Sequence, residues 1–362
     1  MKFLCALIIF SFSFLFSIPV FAHSLTLNRA TQMAIQNSNA LRNLEDSPAL
    51  SQVEEERIQT QLNIINAEGF TTHAFVENRA NFMRLQAQRT AARENTRALR
   101  EGMEYLALSH FANILTVQGE LAVLDERINV LNKEIEIIEL RLSLGLAGQN
   151  EYTVAGLNLS RQINERQNLY LALKTAHREL NRLIGTPLDR VHQIVFHMNY
   201  QEFNHTNITG HINTQIAGNP DVRLARALAN ASLFQLNNFF PPVNPHTGHF
   251  IPGGETRTEA RLRFAMDARN IRETRHSLED FMLDTYTSIR NLENAVSASQ
   301  ITLDNLLEQK RLLEERINLG QAAATELIGF DLEILILQED IRRNQMEHKI
   351  LVMLFLNPSI AG

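Results

Sequence analysis

Apolar residues recur along this chain at helical spacing. Leu124, Ile128, Leu131, Ile135, Ile138 and Leu142 alternate steps of four and three, the heptad spacing of a coiled-coil seam. After a glycine, Leu159, Ile163, Tyr170, Leu173, Leu180 and Ile184 resume the pattern as far as Gly185-Thr186-Pro187, a glycine-then-proline helix stop. A later stretch does the same. Leu303, Leu306, Leu313 and Ile317 run down to Gly320, and Leu332, Leu335, Ile341 and Ile350 return toward Asn357-Pro358. The pattern predicts one helical hairpin made twice.

The two hairpins share more than a period. Leu140-Arg141-Leu142-Ser143-Leu144-Gly145-Leu146-Ala147 leads to Glu151, and Glu315-Arg316-Ile317-Asn318-Leu319-Gly320-Gln321-Ala322 leads to Glu326 at one constant offset. Upstream, Ile128, Leu131, Ile138 and Leu142 fall on Leu303, Leu306, Leu313 and Ile317. Such self-similarity points to an internal duplication. Proline use agrees: none lies between Ala49 and Thr186 or between Gly253 and Asn357, which leaves two long helix-permissive blocks. A helix from about Asn81 to Leu144 would reach on the order of 100 Å at its rise per residue, longer than a compact domain needs. Each repeat opens with a short segment ending in a break, at Asn37-Ser38-Asn39 and at Gly218-Asn219-Pro220. The expected fold is all-α: two repeats of long helical hairpins, residues 23–190 and 191–362.

The ends and the composition narrow the setting. Met1-Lys2, an apolar run from Phe3 to Phe16 and Pro19-Val20-Phe21-Ala22 fit a secretory signal peptide over residues 1–22. An uncleaved anchor is the competing reading, but the run is short for a span of about 20 residues. Cys5 is the only cysteine, so the exported chain would have no disulfide, thiolate metal site or catalytic thiol. The formal net charge of −6 is spread along the chain with no basic block, which argues against nucleic acid.

Chemistry is hard to place on this pattern. His246 and His249 have metal-ligand spacing but sit in a Pro/Gly loop with no carboxylate or thiol before Glu255. Gly253-Gly254 lacks the Lys-Ser/Thr of a phosphate loop. No serine stands in a nucleophile elbow. The reading is a non-enzyme without cofactor or metal.

The residues quoted above resemble the TolC-type outer-membrane efflux protein family. The likeness lies in Leu25-Thr26-Leu27 with Ala30, Ala34 and an asparagine-rich break, in the turn Arg141–Ala147, and in Leu180-Asn181-Arg182-Leu183-Ile184-Gly185-Thr186-Pro187. It covers most of residues 24–358. The resemblance implies a homotrimer whose helices form a tube across the periplasm, topped by a β-barrel in the outer membrane. Solutes would come from an inner-membrane pump. It also implies that Arg141, Gly145, Ala147 and Glu151, with Arg316, Gly320, Ala322 and Glu326, form the tip where a periplasmic adaptor protein docks. Asp331 and Glu333 would be candidate pore carboxylates, or simply solvated on the outside of the tube.

One departure stands out. Transmembrane strands need about 9–11 residues each, and the corresponding segments here are poor. They are Gly69–Val76 and the proline-rich Phe239–Gly254, and there is no tryptophan. These read as apical loops with little or no barrel, with Phe239 and Phe240 as a possible outer-membrane contact. Two functions follow: a channel component passing small solutes or proteins, or a non-conducting periplasmic coiled-coil scaffold that kept the fold.

Overall fold

A computed structural model describes residues 23–67, 73–243, 249 and 255–361. The proposed signal segment, most of the proline-rich segment and His246 lie outside the described residues. Among those described the order is β1 (His23–Thr26), α1 (Leu27–Asn37), α2 (Asn39–Ala67), α3 (His73–Ser143), α4 (Gln149–Ile184), β2 (His192–Val195), α5 (Ile208–Gly218), α6 (Pro220–Asn237), α7 (Arg257–Asn318) and α8 (Phe330–Leu356). Short 3-10 turns occupy Ala324–Leu327 and Pro358–Ala361.

Helix α3 has 71 residues, and no single neighbour covers it. Helix α2 packs along its first part, α4 along its last, and α1 sits where they meet, touching both α3 and α4. The second repeat copies the plan: α7, of 62 residues, is flanked by α6 and then α8, with α5 at the junction. Helix α3 also packs on α6 and α8, so it joins the repeats. Across the layer the order is α2 or α4, then α3, then α6 or α8, then α7. The end with the α3–α4 and α7–α8 turns is the tip, and the opposite end is apical.

The same offset recurs in the core. Ala107 and Met282, Ile114 and Ile289, and Leu121 and Val296 are all buried and share the offset that relates Gly145 to Gly320. The first repeat's core gathers Leu25, Ala30, Phe111 and Leu180; the second's gathers Ile212, Val222, Met282 and Phe355. Small residues on α1 let it lie close against α3.

Several sequence expectations shift in detail. Helix α3 begins at His73, so Phe75 and Val76 are helical. Helix α2 continues through Pro48, because Leu41 ahead of it and Ile58 and Leu62 beyond it are all buried and hold the helix to α3 on both sides. On α4, Ile163 and Tyr170 are 42% and 48% exposed; the inward line runs through Leu159, Arg166, Leu169 and Leu173. A stripe drifts around a helix of 3.6 residues per turn, and Arg166 joins it by lying along the seam to reach Asp125 at 2.8 Å. Among the described residues the sheet is small, β1 pairing with β2 in parallel with Leu25 opposite Ile194.

The junctions are held by side-chain caps. Asn37 Nδ2 donates to the carbonyls of Arg182 and Leu183 at 3.0 and 3.1 Å, satisfying the end of α4. Gly185 has φ 71°, and a Cβ there would lie 2.5 Å from Asn37 Oδ1. In the second repeat Gln215 Nε2 and His211 Nε2 donate to Leu356 O and Phe355 O at 2.9 and 3.1 Å. Asn219 caps α6, its Oδ1 accepting from the Asp221 and Val222 amides. The strap between repeats is tied down by buried Glu293, which accepts from the Phe203 amide at 2.6 Å and from His348 Nε2 at 3.1 Å.

Where α8 crosses α3, a charged pair lies on a glycine. Arg342 and Glu339 pair over Gly119, and Arg342 Nη2 donates to Leu115 O at 2.6 Å. A Cβ on Gly119 would lie 2.0 Å from Glu339 Oε2. Gly119→Leu would push aside the ends of the Glu339 and Arg342 side chains, which are flexible and partly exposed, and lose the Arg342–Leu115 hydrogen bond. That loss of about 0.5–1.5 kcal/mol is opposed by the better helix propensity of leucine, about 1 kcal/mol, so urea stability should stay within about 1 kcal/mol of the parent. In that background Arg342→Ala should cost less than in the parent chain, the signature of a shared contact.

His177 of α4 is 3% exposed, and neither ring nitrogen has a hydrogen-bond partner among the described residues. Burial pushes its pKa below the usual value of 6.5; His110 is lowered too, by burial, with Glu179 partly opposing. The unfolded chain then binds more protons than the folded one, so stability holds above about pH 6.5 and falls as pH drops below it. Urea midpoints measured from pH 7.5 to 5 should decline, and His177→Leu should flatten that decline, leaving the share due to His110.

Candidate functional site

The strongest candidate is the pair of tips. Helix α3 ends when Gly145 takes φ 72°, with Leu146 N–H donating to Arg141 O at 2.7 Å and Gly145 N–H to Leu142 O at 3.0 Å. Helix α7 ends identically: Gly320 has φ 69°, Gln321 N–H reaches Arg316 O at 2.8 Å and Gly320 N–H reaches Ile317 O at 2.9 Å. This is the Schellman arrangement, in which a left-handed residue lets the last carbonyls bond backwards. Nothing lies within 4 Å of a Cβ at either glycine. Glycine is there for its backbone, not for space.

The first tip is closed by a polar clasp. Arg141 Nη1 meets Glu151 Oε1 at 3.0 Å, and Nη2 donates to Leu146 O at 3.3 Å. Glu151 stands in the first turn of α4, where a carboxylate suits the helix dipole. Ala147 is half-buried in the turn. Both charged groups are about half exposed, so the clasp shapes the turn more than it stabilises the fold.

The second tip uses the same residues differently. Glu326 Oε1 accepts from the Ala323 amide at 2.9 Å and opens the 3-10 turn Ala324–Leu327, with Ala322 half-buried just ahead. The chain then restarts at Gly329, φ 101°, before α8. Arg316 is exposed in the last turn of α7. Asp331 and Glu333 lie in the first turn of α8. Asp331 receives Lys310 Nζ at 2.6 Å, and this hydrogen bond raises the Lys310 pKa; Glu333 is exposed.

Sequence reasoning missed Lys310 and Gly329. It also passed over Leu144 and Leu319, which are 64% and 71% exposed and related by the repeat offset; that coincidence was the available signal. Among the described residues no three or more His, Cys, Asp or Glu gather as a metal site, and no helix is long and apolar enough to cross a membrane. At the apical end only residues 68–72 join α2 to α3. Five residues cannot hold two strands of about 9–11 each. Phe239 is half-buried and Phe240 exposed, with the Phe240 carbonyl accepting from His73 Nδ1 at 2.9 Å.

No protein-family profile and no curated protein matches the chain by sequence. Solved structures do match by shape. The outer membrane protein VceC from Vibrio cholerae superposes with a TM-score of 0.59 at 15% identity, over 93% of this chain and 96% of that one. A membrane protein from Pseudomonas aeruginosa gives 0.60 at 13% identity, over 92% of each. CusC, which forms a transmembrane channel, gives 0.62 at 11% identity, over 92% and 91%. The chain has the TolC-type fold. In this fold the long α3 and α7, their half-length partners and the paired tips make up one helical-barrel protomer.

At both tips the glycines carry the conformational demand. Gly145→Ala and Gly320→Ala should each cost about 1–2 kcal/mol for the left-handed backbone. Asparagine, though larger, should cost less than alanine at both positions, because it tolerates that region. Urea unfolding of the four variants checks the order.

Proposed function

We propose that the protein is an exported channel component of the efflux type, passing small solutes or proteins passively through a trimeric helical tube. The observation that carries this reading is a layer of long helices with two open edges and both tip turns kept alike. A lone protomer leaves those edges bare, and a head-to-tail ring closes them. The likeness in fold to channel proteins over nine-tenths of both chains supports it. The exposed tips, built from Arg141, Gly145, Ala147 and Glu151 and from Arg316, Gly320, Ala322 and Glu326, are the surface for a periplasmic adaptor and its inner-membrane pump. Asp331 and Glu333 stand beside the second tip, where acidic rings would favour cations; the Lys310 contact reduces what Asp331 offers.

The five-residue α2–α3 connection favours a second reading, a periplasmic scaffold that kept the fold without conduction. In that case Phe239 and Phe240 make an outer-membrane contact without spanning it. Light scattering in mild detergent and in plain buffer, followed by planar-bilayer conductance, separates the two. The channel reading expects a trimer that conducts. A trimer without conductance indicates the scaffold, and a detergent-indifferent monomer sinks the closed tube.

A further inference from the structure

The strap between the repeats carries a motif that the channel reading leaves unused. Asn-x-Ser/Thr triplets begin at Asn158, Asn204, Asn207 and Asn230, the acceptor pattern for N-linked glycans on exported chains. Only Asn204 also has an acid two residues ahead of it, Glu202, and that longer pattern is the one bacterial transferases of this class select. We propose that Asn204 is an N-glycosylation site, taking its glycan from a polyprenyl-diphosphate-linked oligosaccharide. The proposal rests on export of the chain and not on the closed ring.

Local structure separates the four triplets. Asn158 and Asn230 lie inside α4 and α6, and the hydroxyls of their triplets are already engaged. Ser160 Oγ donates to Gly156 O at 3.0 Å, and Ser232, 2% exposed, donates to Asp267. Asn207 caps α5, its Oδ1 accepting from the Gly210 amide at 2.8 Å, and Thr209 stands in the first turn of that helix. A transferase must grip asparagine and hydroxyl together on open backbone, which a helix denies it.

Asn204 differs on each count. Residues 201–205 form neither helix nor strand. Phe203 and His205 turn to the same side, their ring centroids 5.9 Å apart, and pack on Phe355 at 5.4 Å and His211 at 4.9 Å. The residues between and beside them, Glu202, Asn204 and Thr206, are exposed. This alternation is that of an extended chain, so acid, amide and hydroxyl share the outward side. None of the three side chains forms a hydrogen bond or ion pair with a described residue. A glycan on Asn204 therefore projects into solvent without displacing the packed rings beneath.

The transfer itself balances. Asn204 Nδ2 forms a bond to the anomeric carbon of the first sugar while the bond from that carbon to the diphosphate oxygen breaks. One proton leaves the amide nitrogen for solvent, and the polyprenyl diphosphate departs with the electron pair. Nothing is oxidised or reduced.

The test is made on the full chain, exported in cells that carry a bacterial oligosaccharyltransferase and its lipid-linked oligosaccharide, alongside an exported control acceptor. Intact mass should rise by one oligosaccharide, and fragmentation should place it on Asn204. Glu202→Gln and Thr206→Ala keep the asparagine yet should each lower occupancy at least tenfold, while Thr206→Ser retains it. Asn207→Gln and Asn230→Gln should leave occupancy unchanged. Circular dichroism of each purified variant checks that the helices remain. An exported chain that stays unmodified while the control is modified overturns the site, as does a glycan mapped to another asparagine. Full occupancy in Glu202→Gln overturns the role given to the acid. If residues 1–22 stay attached and the chain stays in the cytoplasm, the export reading falls and the site with it.

Discussion

The structure depends on covering one very long helix. Helix α3 runs for 71 residues, and an isolated helix gains little stability from its own backbone in water. Its apolar line must be buried along roughly 100 Å, and no compact core does that. The chain supplies α2 and α4 end to end on one side and α6 and α8 on the other. Every junction then becomes a place where two helix ends meet against α3 and must be capped. That is where the amides of Asn37 and Gln215 and the ring of His211 are spent.

Close approach is the second constraint, and it explains the small residues. Two repeats share α3 because Gly119 lets the Arg342–Glu339 pair settle on its backbone, and because Gly102 admits the final turn, where a Cβ would lie 3.3 Å from Ile360 O. Ala30 and Ala34 let α1 sit on α3 in the same way. Polar groups enter this interface only when satisfied or neutral. Glu293 accepts from the Phe203 amide, His348 and Arg290, whereas His177 has no hydrogen-bond partner among the described residues and its burial lowers its pKa.

The two halves of the chain share one plan, and they differ at the ends. Both tips make the same backward hydrogen bonds, yet only the first uses its arginine to clasp its glutamate. In the second, six further residues separate the helices, with Gly329 and the Lys310–Asp331 contact restarting α8. A tube assembled from such protomers has non-equivalent tips around its mouth. At the apical end the departure from the TolC-type plan is larger, since α2 and α3 are joined by residues 68–72 alone.

Much of this was readable from residue order. The 3–4 spacing of Leu124 through Leu142 gave the hairpins, and Gly145 and Gly320 gave their turns, because local backbone preference and period act within a few residues. Candidate tip residues followed from the repeat, though not their different partners. The persistence of α2 through Pro48 was not readable, since Leu41, Ile58 and Leu62 override the break only by packing on a helix distant in sequence. Nor were the positions of Ile163 and Tyr170, which depend on slow drift of the apolar stripe, or the crossing at Gly119. The sequence by itself determined the elements, their length and their turns. The tertiary structure decided which faces meet and which stay open, because those outcomes come from contacts between residues far apart along the chain.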